Sequence, residues 1–213
     1  MKPKQNYNLL MEQELKKLDH RPKLLLHVCC APCSSAVIER MVNYCDICVL
    51  FYNPNMDSEM EFIRRAEELN RLVSESGWSV DVAVLEYDHS EFLEIANGLE
   101  DAPEGGARCM KCYRQRLEET AKYAAENGFE YFTTTLSISP YKNAEALNLI
   151  GKSLEEKYNV KYLYSDFKKK NGFKRSTELS DEYGLYRQDY CGCEFSKEER
   201  EAELKKQCSV CEE

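Results

Sequence analysis

The sequence predicts an α/β protein, with a mostly parallel sheet of about five strands flanked by helices. The first observation behind this prediction is alternation, because five short apolar runs are separated by segments of helical periodicity, as in βαβ units. The second is composition, because 43% hydrophobic and 31% charged residues are typical of a globular chain with a full core. No internal repeat or low-complexity linker interrupts the 213 residues, so we expect one α/β domain.

Each predicted strand is a short apolar run that ends at a turn or a charged stretch. The five runs are residues 23–28, 47–52, 80–85, 130–134 and 161–164. Parallel sheets bind ligands in the crevice beyond the carboxyl ends of their strands. The unusual stretches of the chain follow four of these ends: Cys29 with Cys30, YNPN (52–55), TTLSISPYK (134–142) and SDFKKK (165–170). We therefore expect a functional site at this one edge of the sheet.

The helices are predicted from their amphipathic periodicity. They are residues 7–19, 34–44, 58–76, 90–99, 109–127 and 143–158. The stretch DAPEGGAR (101–108) is a loop rich in glycine and proline, and Gly128 ends the helix that follows it. The remaining C-terminal part is less regular, and we expect it to wrap over the edge of the sheet.

The net charge of −9 argues against broad, non-specific binding of nucleic acid, although it is compatible with a local basic surface. No apolar run approaches the ~20 residues of a membrane-spanning helix. The polar N-terminus, MKPKQNYNLLMEQELKKLDH, lacks the apolar core of a signal peptide. We expect a cytoplasmic protein with no membrane partner.

Eleven cysteines are the anomaly of this composition. Their number is odd and the expected compartment is reducing, so a disulfide framework is disfavoured. Clustered cytosolic thiols more often bind metal or carry out redox chemistry. The cysteines fall at close spacing: Cys29, Cys30 and Cys33; Cys45 and Cys48; Cys109 and Cys112; Cys191 and Cys193; Cys208 and Cys211.

Two of these groups contain the C-x-x-C spacing of metal ligands. Cys109 and Cys112 share one face at the start of a helix, and Cys30 and Cys33 lie at a strand-to-helix turn, where the helix dipole stabilises thiolates. Four soft thiolates select zinc, copper(I) or an iron–sulfur cluster. Residues 34–108 separate the two pairs, 75 residues in all, whereas a zinc ribbon has ~15–20. A [4Fe–4S] cluster is favoured because it accepts irregular spacing, with zinc and no metal as alternatives.

The YCGC segment places Cys191 and Cys193 too close together for a relaxed disulfide. A strained bridge is easily reduced, so the pair suits redox cycling or the chelation of one metal ion. Two ordinary loop cysteines are the alternative interpretation.

The other cysteines and one histidine are interpreted without a role in chemistry. Cys45 and Cys48 are interpreted as small buried hydrophobes. Cys208 and Cys211 lie in the charged tail, where a structural metal is disfavoured. His27, within LLLHV, is interpreted as a core histidine whose ring nitrogens are hydrogen-bonded.

Two basic stretches lie beside the predicted site, and on an acidic protein they favour an anionic partner. They are PEGGARCMKCYRQRL (103–117), with Arg108, Lys111, Arg114 and Arg116, and SDFKKKNGFKR (165–175), with Lys168, Lys169, Lys170, Lys174 and Arg175. A solvated surface is the alternative. Nearby aromatic rings offer stacking surfaces for an unpaired base. These are Tyr52, Tyr113, Tyr141, Tyr186 and Tyr190.

Taken together, these segments resemble the epoxyqueuosine reductase QueH family. The resemblance is carried by LLLHVCCAPCSS, FYNPN, PEGGARCMKCYRQRL, FTTTLSISPYKN, LYSDFKKKNGF and ELSDEYGLYRQDYCGCEFS, from about residue 23 to 196. It implies a Rossmann-like (HUP-like) α/β fold with an irregular helical C-terminal segment. It also implies the last step of queuosine biosynthesis, in which epoxyqueuosine at the wobble position of tRNA is reduced and the epoxide oxygen leaves as water.

The resemblance implies a [4Fe–4S] cluster, with a second mononuclear iron as an option, and no cobalamin. By the same resemblance the cluster ligands are Cys29, Cys30, Cys109 and Cys112. The redox-active catalytic pair is Cys191 and Cys193, with ligation of the second iron as the alternative for both. Cys33 is assigned to that iron, because family members can carry aspartate in its place.

The substrate implied by the resemblance is a tRNA with a GUN anticodon that carries epoxyqueuosine, and an electron donor that the sequence does not identify is the second partner. The candidate substrate-binding residues are Arg108, Arg114, Lys142, Lys168, Arg187 and Tyr190. Tyr190 or Asp189 is the candidate proton donor.

The expected organisation is an N-terminal helical extension (1–22), an α/β reductase domain (23–196) and a charged C-terminal tail (197–213). Two other functions stay open from the residues alone. One is a thioredoxin-like dithiol oxidoreductase, because CAPC (30–33) joins a strand to a helix. The other is a non-catalytic, zinc-stabilised tRNA-binding module.

Overall fold

The computed structural model of the chain describes residues 5–210, with side chains described as far as residue 207. Within that range the chain forms five strands and eight α-helices. The strands are β1 (Lys23–Val28), β2 (Asp46–Phe51), β3 (Val80–Val84), β4 (Tyr131–Thr134) and β5 (Lys161–Tyr162). The helices are α1 (Tyr7–Leu15), α2 (Ala31–Met41), α3 (Glu59–Ser76), α4 (His89–Ala96), α5 (Ala107–Glu126), α6 (Ala144–Tyr158), α7 (Gly172–Glu182) and α8 (Glu194–Val210), with a 3₁₀ helix, η1 (Thr135–Ile138).

The strands form one parallel sheet in the order β3-β2-β1-β4-β5. This confirms the predicted α/β class and its Rossmann-like arrangement. The order reverses between β1 and β4, where His27 pairs with Thr134 in the register of the sheet. Sheets of this kind bind ligands in the crevice at such a reversal. The residues that follow β1, β2 and β4 all lie at this edge.

Side chains of β1 alternate between the two faces of the sheet and divide the core in two. Leu24, Leu26 and Val28 pack on one face with residues of α1, α2, α3 and α7. Leu25 and Cys29 pack on the other face with residues of α5 and α6. Helices therefore cover both faces, and β1 is buried from its second residue onward, as expected for a central parallel strand.

Several helix boundaries differ from the sequence prediction, and the C-terminal helices have no predicted bounds. Helix α2 begins at Ala31 rather than at residue 34, because Pro32 suits the first turn of a helix. The C-terminal part is more regular than expected, since it forms α7 and α8. Helix α8 begins at Glu194 and runs across the predicted boundary between residues 196 and 197.

The N-terminal helix packs into the main core, where Met11 is fully buried and Leu15 nearly so. Ion pairs tie α8 to the rest of the chain, including those from Lys197 to Asp57 and from Glu199 to Arg108. The division into an extension, a domain and a tail therefore stays a prediction. Within the described residues, no helix is both long enough and apolar enough to span a membrane.

Candidate active site

Cys29, Cys30 and Cys33 form the first group of thiols, at the end of β1 and the start of α2. Their three Sγ atoms lie within 4.8 Å of one another, and Cys29 Sγ is 3.8 Å from Cys30 Sγ. Hydrogen bonds from Cys29 and Cys33 hold the pKa of Cys30 well below its ordinary value, and the charge of Arg65 adds to this effect. The same contacts raise the pKa of Cys33 well above its ordinary value. The three thiols therefore titrate together, and Cys30 is the first of them to lose its proton.

Four further cysteines line one cavity at the same edge of the sheet. Cys109 and Cys112 come from the first turns of α5, and Cys191 and Cys193 come from the loop before α8. The backbone N–H of Gly105 donates to Cys109 Sγ at 3.2 Å. The cavity is lined by Asn55, Phe92, Glu104, Arg108, Cys109, Cys112, Tyr113, Cys191, Cys193 and Ser196.

Arg116 connects the two groups of thiols. Its side chain is 1% exposed, and its Nη1 lies 3.8 Å from Cys112 Sγ. Its charge acts on Cys29 in the first group as well as on Cys112 and Cys191 in the second. Cys29 and Cys109 also belong to one packed cluster of buried residues. The structure therefore brings together the three segments that the sequence singled out.

The CGC segment is held against the loop after β2. The backbone N–H of Asp57 donates to Gly192 O at 2.8 Å, and Arg65 Nη1 donates to Cys191 O at 3.3 Å. Lys142 Nζ donates to Cys191 Sγ at 3.0 Å. Both the backbone and one sulfur of the segment are therefore fixed by contacts from remote parts of the chain.

The donor set of the site fits an iron–sulfur cluster. Burial raises the pKa of Cys109 and of Cys112, and it raises the pKa of Cys193 to about 12. Buried thiols become anionic ligands when a soft cation replaces their protons. Arg116, which is buried beside them, supplies positive charge that matches an anionic thiolate cluster.

Three polar atoms of the cavity lining have no hydrogen-bond partner among the described residues. They are Asn55 Oδ1, Arg108 Nε and the hydroxyl of Tyr113, and all three residues are at most 2% exposed. Buried polar groups are normally hydrogen-bonded, so such atoms indicate a missing ligand or solvent molecule.

The structure confirms the interpretation of His27 as a core residue. Its Nδ1 is 2.9 Å from Thr134 Oγ1, and its Nε2 is 3.1 Å from Tyr52 O. Burial and the nearby charge of Arg116 lower the pKa of His27 to about 3, so the ring is neutral at pH 7.

The cysteines interpreted as hydrophobes lie away from the site. Cys45 is 2% exposed in the core beside β2, and burial raises its pKa to about 12. Cys48 is half-buried in β2, and burial raises its pKa to about 11. The side chain of Cys208 and the whole of Cys211 lie outside the described residues.

Three of the candidate substrate-binding residues point into the protein. Arg108 is 1% exposed, and its guanidinium donates to Leu99 O and Glu100 O. Lys142 contacts Cys191, as described above, and Lys168 donates to the backbone oxygens of Ser137 and Lys142. These cations stabilise the loops around the site.

The other three candidates lie at or near the surface. Arg114 is half-exposed on the outer side of α5 and donates to Ser153 Oγ. Arg187 is exposed and donates to Ser180 Oγ. The hydroxyl of Tyr190 donates to Asp57 at 3.1 Å, which holds this residue on the loop after β2.

Among the five tyrosines considered for base stacking, only Tyr141 presents an open ring, with 80% of the residue exposed. Tyr52 and Tyr113 are buried. Tyr186 and Tyr190 are half-buried. The hydroxyl of Tyr186 contacts Glu61, and that of Tyr190 contacts Asp57. Asp189, the second proton-donor candidate, is exposed and lies 3.8 Å from Arg200.

The sequence alone does not identify Arg65 or Asn55 as residues of the site. It also does not predict that the side chain of Arg116 points into the protein. The signal for Arg116 was its position one helical turn after Cys112, which places both on one face of α5. Asn55 lies in YNPN (52–55), which the sequence places at the correct edge of the sheet. The motif does not indicate a separate role for Asn55. For Arg65 the sequence contains no signal that we can name.

A sequence profile of the family described as epoxyqueuosine reductase QueH matches residues 24–199 of this chain. The epoxyqueuosine reductase QueH of Streptococcus pyogenes serotype M1 is 43% identical over 205 residues, which cover 92% of this chain and 80% of that protein. The protein of the same name from Staphylococcus epidermidis is 42% identical over 200 residues, covering 90% and 84%. The one from Thermotoga maritima is 38% identical over 180 residues, covering 83% and 91%.

Among solved structures, the fold is similar to that of the U34-tRNA thiolase NcsA from Methanococcus maripaludis with its [4Fe-4S] cluster. The TM-score is 0.54 at 12% sequence identity, and the match covers 89% of this chain and 67% of the other. At this identity the likeness concerns the fold alone.

Proposed function

This chain belongs to the epoxyqueuosine reductase QueH family, and we propose that it reduces epoxyqueuosine to queuosine in tRNA with the help of an iron–sulfur cluster. The observation that carries the proposal is the convergence of seven cysteines from three remote segments at the switch point of a parallel sheet. A pocket of buried thiols with inserted cations suits a redox cofactor better than it suits a structural zinc ion.

The residues that would hold the cluster are Cys29, Cys30, Cys109 and Cys112. All four are buried, with at most 9% exposure. Cys33 remains for the second iron, since it is half-buried beside Cys29 and Cys30. When bound, the cluster supplies electrons one at a time.

Cys191 and Cys193 are assigned to the redox-active pair. The reaction breaks both C–O bonds of the epoxide, forms a C=C bond and releases water, and it consumes two electrons and two protons. Oxidation of two thiols to a disulfide releases the same numbers of each. Such a bridge between Cys191 and Cys193 is strained and therefore easily reduced again by an external donor.

The surrounding residues prepare the site for an oxygen-rich ligand. Lys142 holds a positive charge against Cys191 Sγ. Asn55 and Tyr113 offer an unpartnered oxygen and hydroxyl to the polar atoms of the substrate. The buried surroundings exclude water from these contacts, which strengthens each of them.

The partner in this proposal is a tRNA with a GUN anticodon whose modified base is turned out of the stack. Tyr141 is exposed and directly precedes Lys142, whose ammonium group contacts Cys191, and its ring provides a stacking surface for an unpaired base. The electron donor is a second partner, which the proposal leaves unspecified.

The test is an anaerobic assay of reconstituted enzyme with epoxyqueuosine-containing tRNA and a chemical reductant. We expect conversion to queuosine, a brown protein and acid-labile sulfide. Single alanine variants of Cys30, Cys112, Cys191 and Cys193 are expected to be inactive. Cys48→Ala is the matched control, because it removes a thiol of the same sheet away from the site, and it is expected to retain activity.

Specific outcomes would contradict individual parts of the proposal. If Cys191→Ala and Cys193→Ala both keep full turnover, the assignment of these two cysteines as the redox-active pair is wrong. One zinc per chain and no iron after reconstitution would favour a tRNA-binding module instead. A colourless protein that reduces disulfides would favour a dithiol oxidoreductase.

A further inference from the structure

Arg116 is a buried cation whose described hydrogen-bond partners carry no carboxylate. Its Nη2 donates to Asn53 Oδ1 at 2.8 Å, its Nε lies 3.4 Å from His27 Nε2, and its Nη1 lies 3.8 Å from Cys112 Sγ. Among the described side chains, no ion pair joins Arg116 to an aspartate or a glutamate. The leading charge partners of its guanidinium are Cys112, Cys29 and Cys191.

The other buried arginines of the site are compensated. Arg65 is paired with Glu61 at 2.6 Å, and Arg108 lies 3.4 Å from Glu199. An uncompensated buried charge is costly, so it persists where an opposite charge is supplied. At Arg116 the acidic group in contact is the thiol of Cys112, which becomes anionic when a soft metal ion replaces its proton.

The neutral contacts of Arg116 fix its position without reducing its charge. Asn53 also donates to Val28 O at 3.0 Å, which anchors it at the end of β1. His27 is neutral and is held between Thr134 and Tyr52. The guanidinium is therefore clamped at the switch point by residues of β1 and of the loop after β2, facing both groups of thiols.

We propose that Arg116 is a positioning residue whose uncompensated charge raises the reduction potential of the iron–sulfur cluster held by Cys29 and Cys112. The inference rests on the proposed function, since it needs the cluster. Adding an electron makes a thiolate cluster more negative, and a fixed cation in a low-dielectric site stabilises that reduced form more than the oxidised one. Net charge and hydrogen bonds to sulfur are known to set such potentials.

The experiment compares midpoint potentials of anaerobically reconstituted proteins, followed by visible absorbance and electron paramagnetic resonance. Arg116→Gln removes the charge, and Arg116→Lys keeps it. Asn53→Asp places a carboxylate against the guanidinium and keeps Arg116 and every cysteine, although it loses the hydrogen bond to Val28 O. Arg114→Gln is the matched control, because it removes a half-exposed cation from the same helix, where solvent screens the charge.

We expect the potential to shift to more negative values in Arg116→Gln and in Asn53→Asp. It should shift less in Arg116→Lys and stay unchanged in Arg114→Gln. Iron and sulfide per chain are measured for each protein, so that only loaded samples are compared. If Arg116→Gln does not take up the cluster, Asn53→Asp and Arg116→Lys still decide the question.

A wild-type potential in fully loaded Asn53→Asp would overturn the inference, as would a wild-type potential in loaded Arg116→Gln. Failure of the proposed function has a different signature, because the wild-type protein itself would then bind no iron–sulfur cluster or would not convert epoxyqueuosine in tRNA.

Discussion

Lys142 Nζ lies 3.0 Å from Cys191 Sγ, and this contact ties the loop after η1 to the CGC segment. The Lys142 side chain is 8% exposed. Burial acts to lower the pKa of Lys142, but the charges of Cys191, Tyr113 and Glu104 outweigh it and hold the pKa well above its ordinary value. The side chain therefore stays cationic and stabilises negative charge on the Cys191 sulfur.

Lys142→Gln is expected to lower kcat by roughly 10- to 100-fold, because a charge-assisted hydrogen bond contributes about 1.5–3 kcal/mol. The measurement is turnover at saturating tRNA with loaded enzyme. Lys111→Gln is the control, since Lys111 is exposed between Cys109 and Cys112 and its loss removes the same charge. Unchanged kcat in loaded Lys142→Gln would show that the contact does not serve catalysis.

Gly192 occupies a backbone conformation that side chains disfavour, with φ of +127°. A Cβ added there would lie 3.3 Å from Arg65 Nη1 and 3.4 Å from Asn55 Nδ2. Gly192→Ala is expected to cost about 1–2 kcal/mol in the free energy of unfolding and to displace the neighbouring thiols. Urea unfolding and kcat measure the two effects.

Gly98→Ala provides the comparison, because Gly98 also has a positive φ, of +73°, and a Cβ there would meet open space. We expect Gly98→Ala to lose stability and keep its activity. If Gly192→Ala behaves in the same way, then the close approach of Arg65 and Asn55 has no part in catalysis.

The sheet could be predicted from sequence because its strands are read from local pattern alone. Strand β1 was predicted at its observed bounds, since KLLLHV is apolar between a proline and a pair of cysteines. An irregular helical segment is expected at the C-terminus, but α7 and α8 were not predicted as individual helices with their bounds. Asn171 precedes α7 in a left-handed conformation and provides no side-chain cap, and α8 is too rich in charge to show an apolar face.

The sequence predicts which cysteine segments form the site. It does not predict which arginine side chains lie buried beside them. Arg108 and Arg116 were grouped with Arg114 as a basic surface, whereas the fold turns the first two inward and leaves the third half-exposed. Position along a helix tells which residues share a face. Which face becomes buried depends on tertiary packing, and charged residues are ordinarily assigned to solvent.

Titration of the Cys45 thiol is expected to lower the free energy of unfolding at alkaline pH. Burial raises its pKa from 9.0 to about 12, so between these values the unfolded chain releases a proton that the folded protein keeps. The protonated Cys45 thiol contributes fully to the free energy of unfolding below pH 9. This contribution is lost as pH rises toward 12, at up to about 1.4 kcal/mol per pH unit. Cys45→Ala should therefore flatten the alkaline loss of the free energy of unfolding.

The measurement is urea unfolding of loaded protein at a series of pH values between about 8 and about 10. Val49→Ala is the control, because it truncates another side chain of the same core cluster without removing a titrating group. It should lower stability equally at every pH. An alkaline slope of Cys45→Ala that matches the wild type would show that Cys45 does not titrate on unfolding.

Tyr141 is expected to stack on an unpaired base of the tRNA. The residue is 80% exposed, in the turn that positions Lys142 against Cys191, so a base lying on this ring is close to the thiols. Stacking of one base contributes about 1–3 kcal/mol, and Tyr141→Ala should raise the Kd for tRNA by roughly 5- to 100-fold. Tyr141→Trp, which keeps an aromatic surface, should bind nearly as the wild type does.

Fluorescence anisotropy with labelled tRNA measures these Kd values, and the kcat at saturating tRNA is expected to change little. Tyr44→Ala is the control, because Tyr44 is 45% exposed and precedes β2, at the edge of the sheet opposite the thiols. A tRNA affinity of Tyr141→Ala equal to that of Tyr44→Ala would place the RNA on another surface.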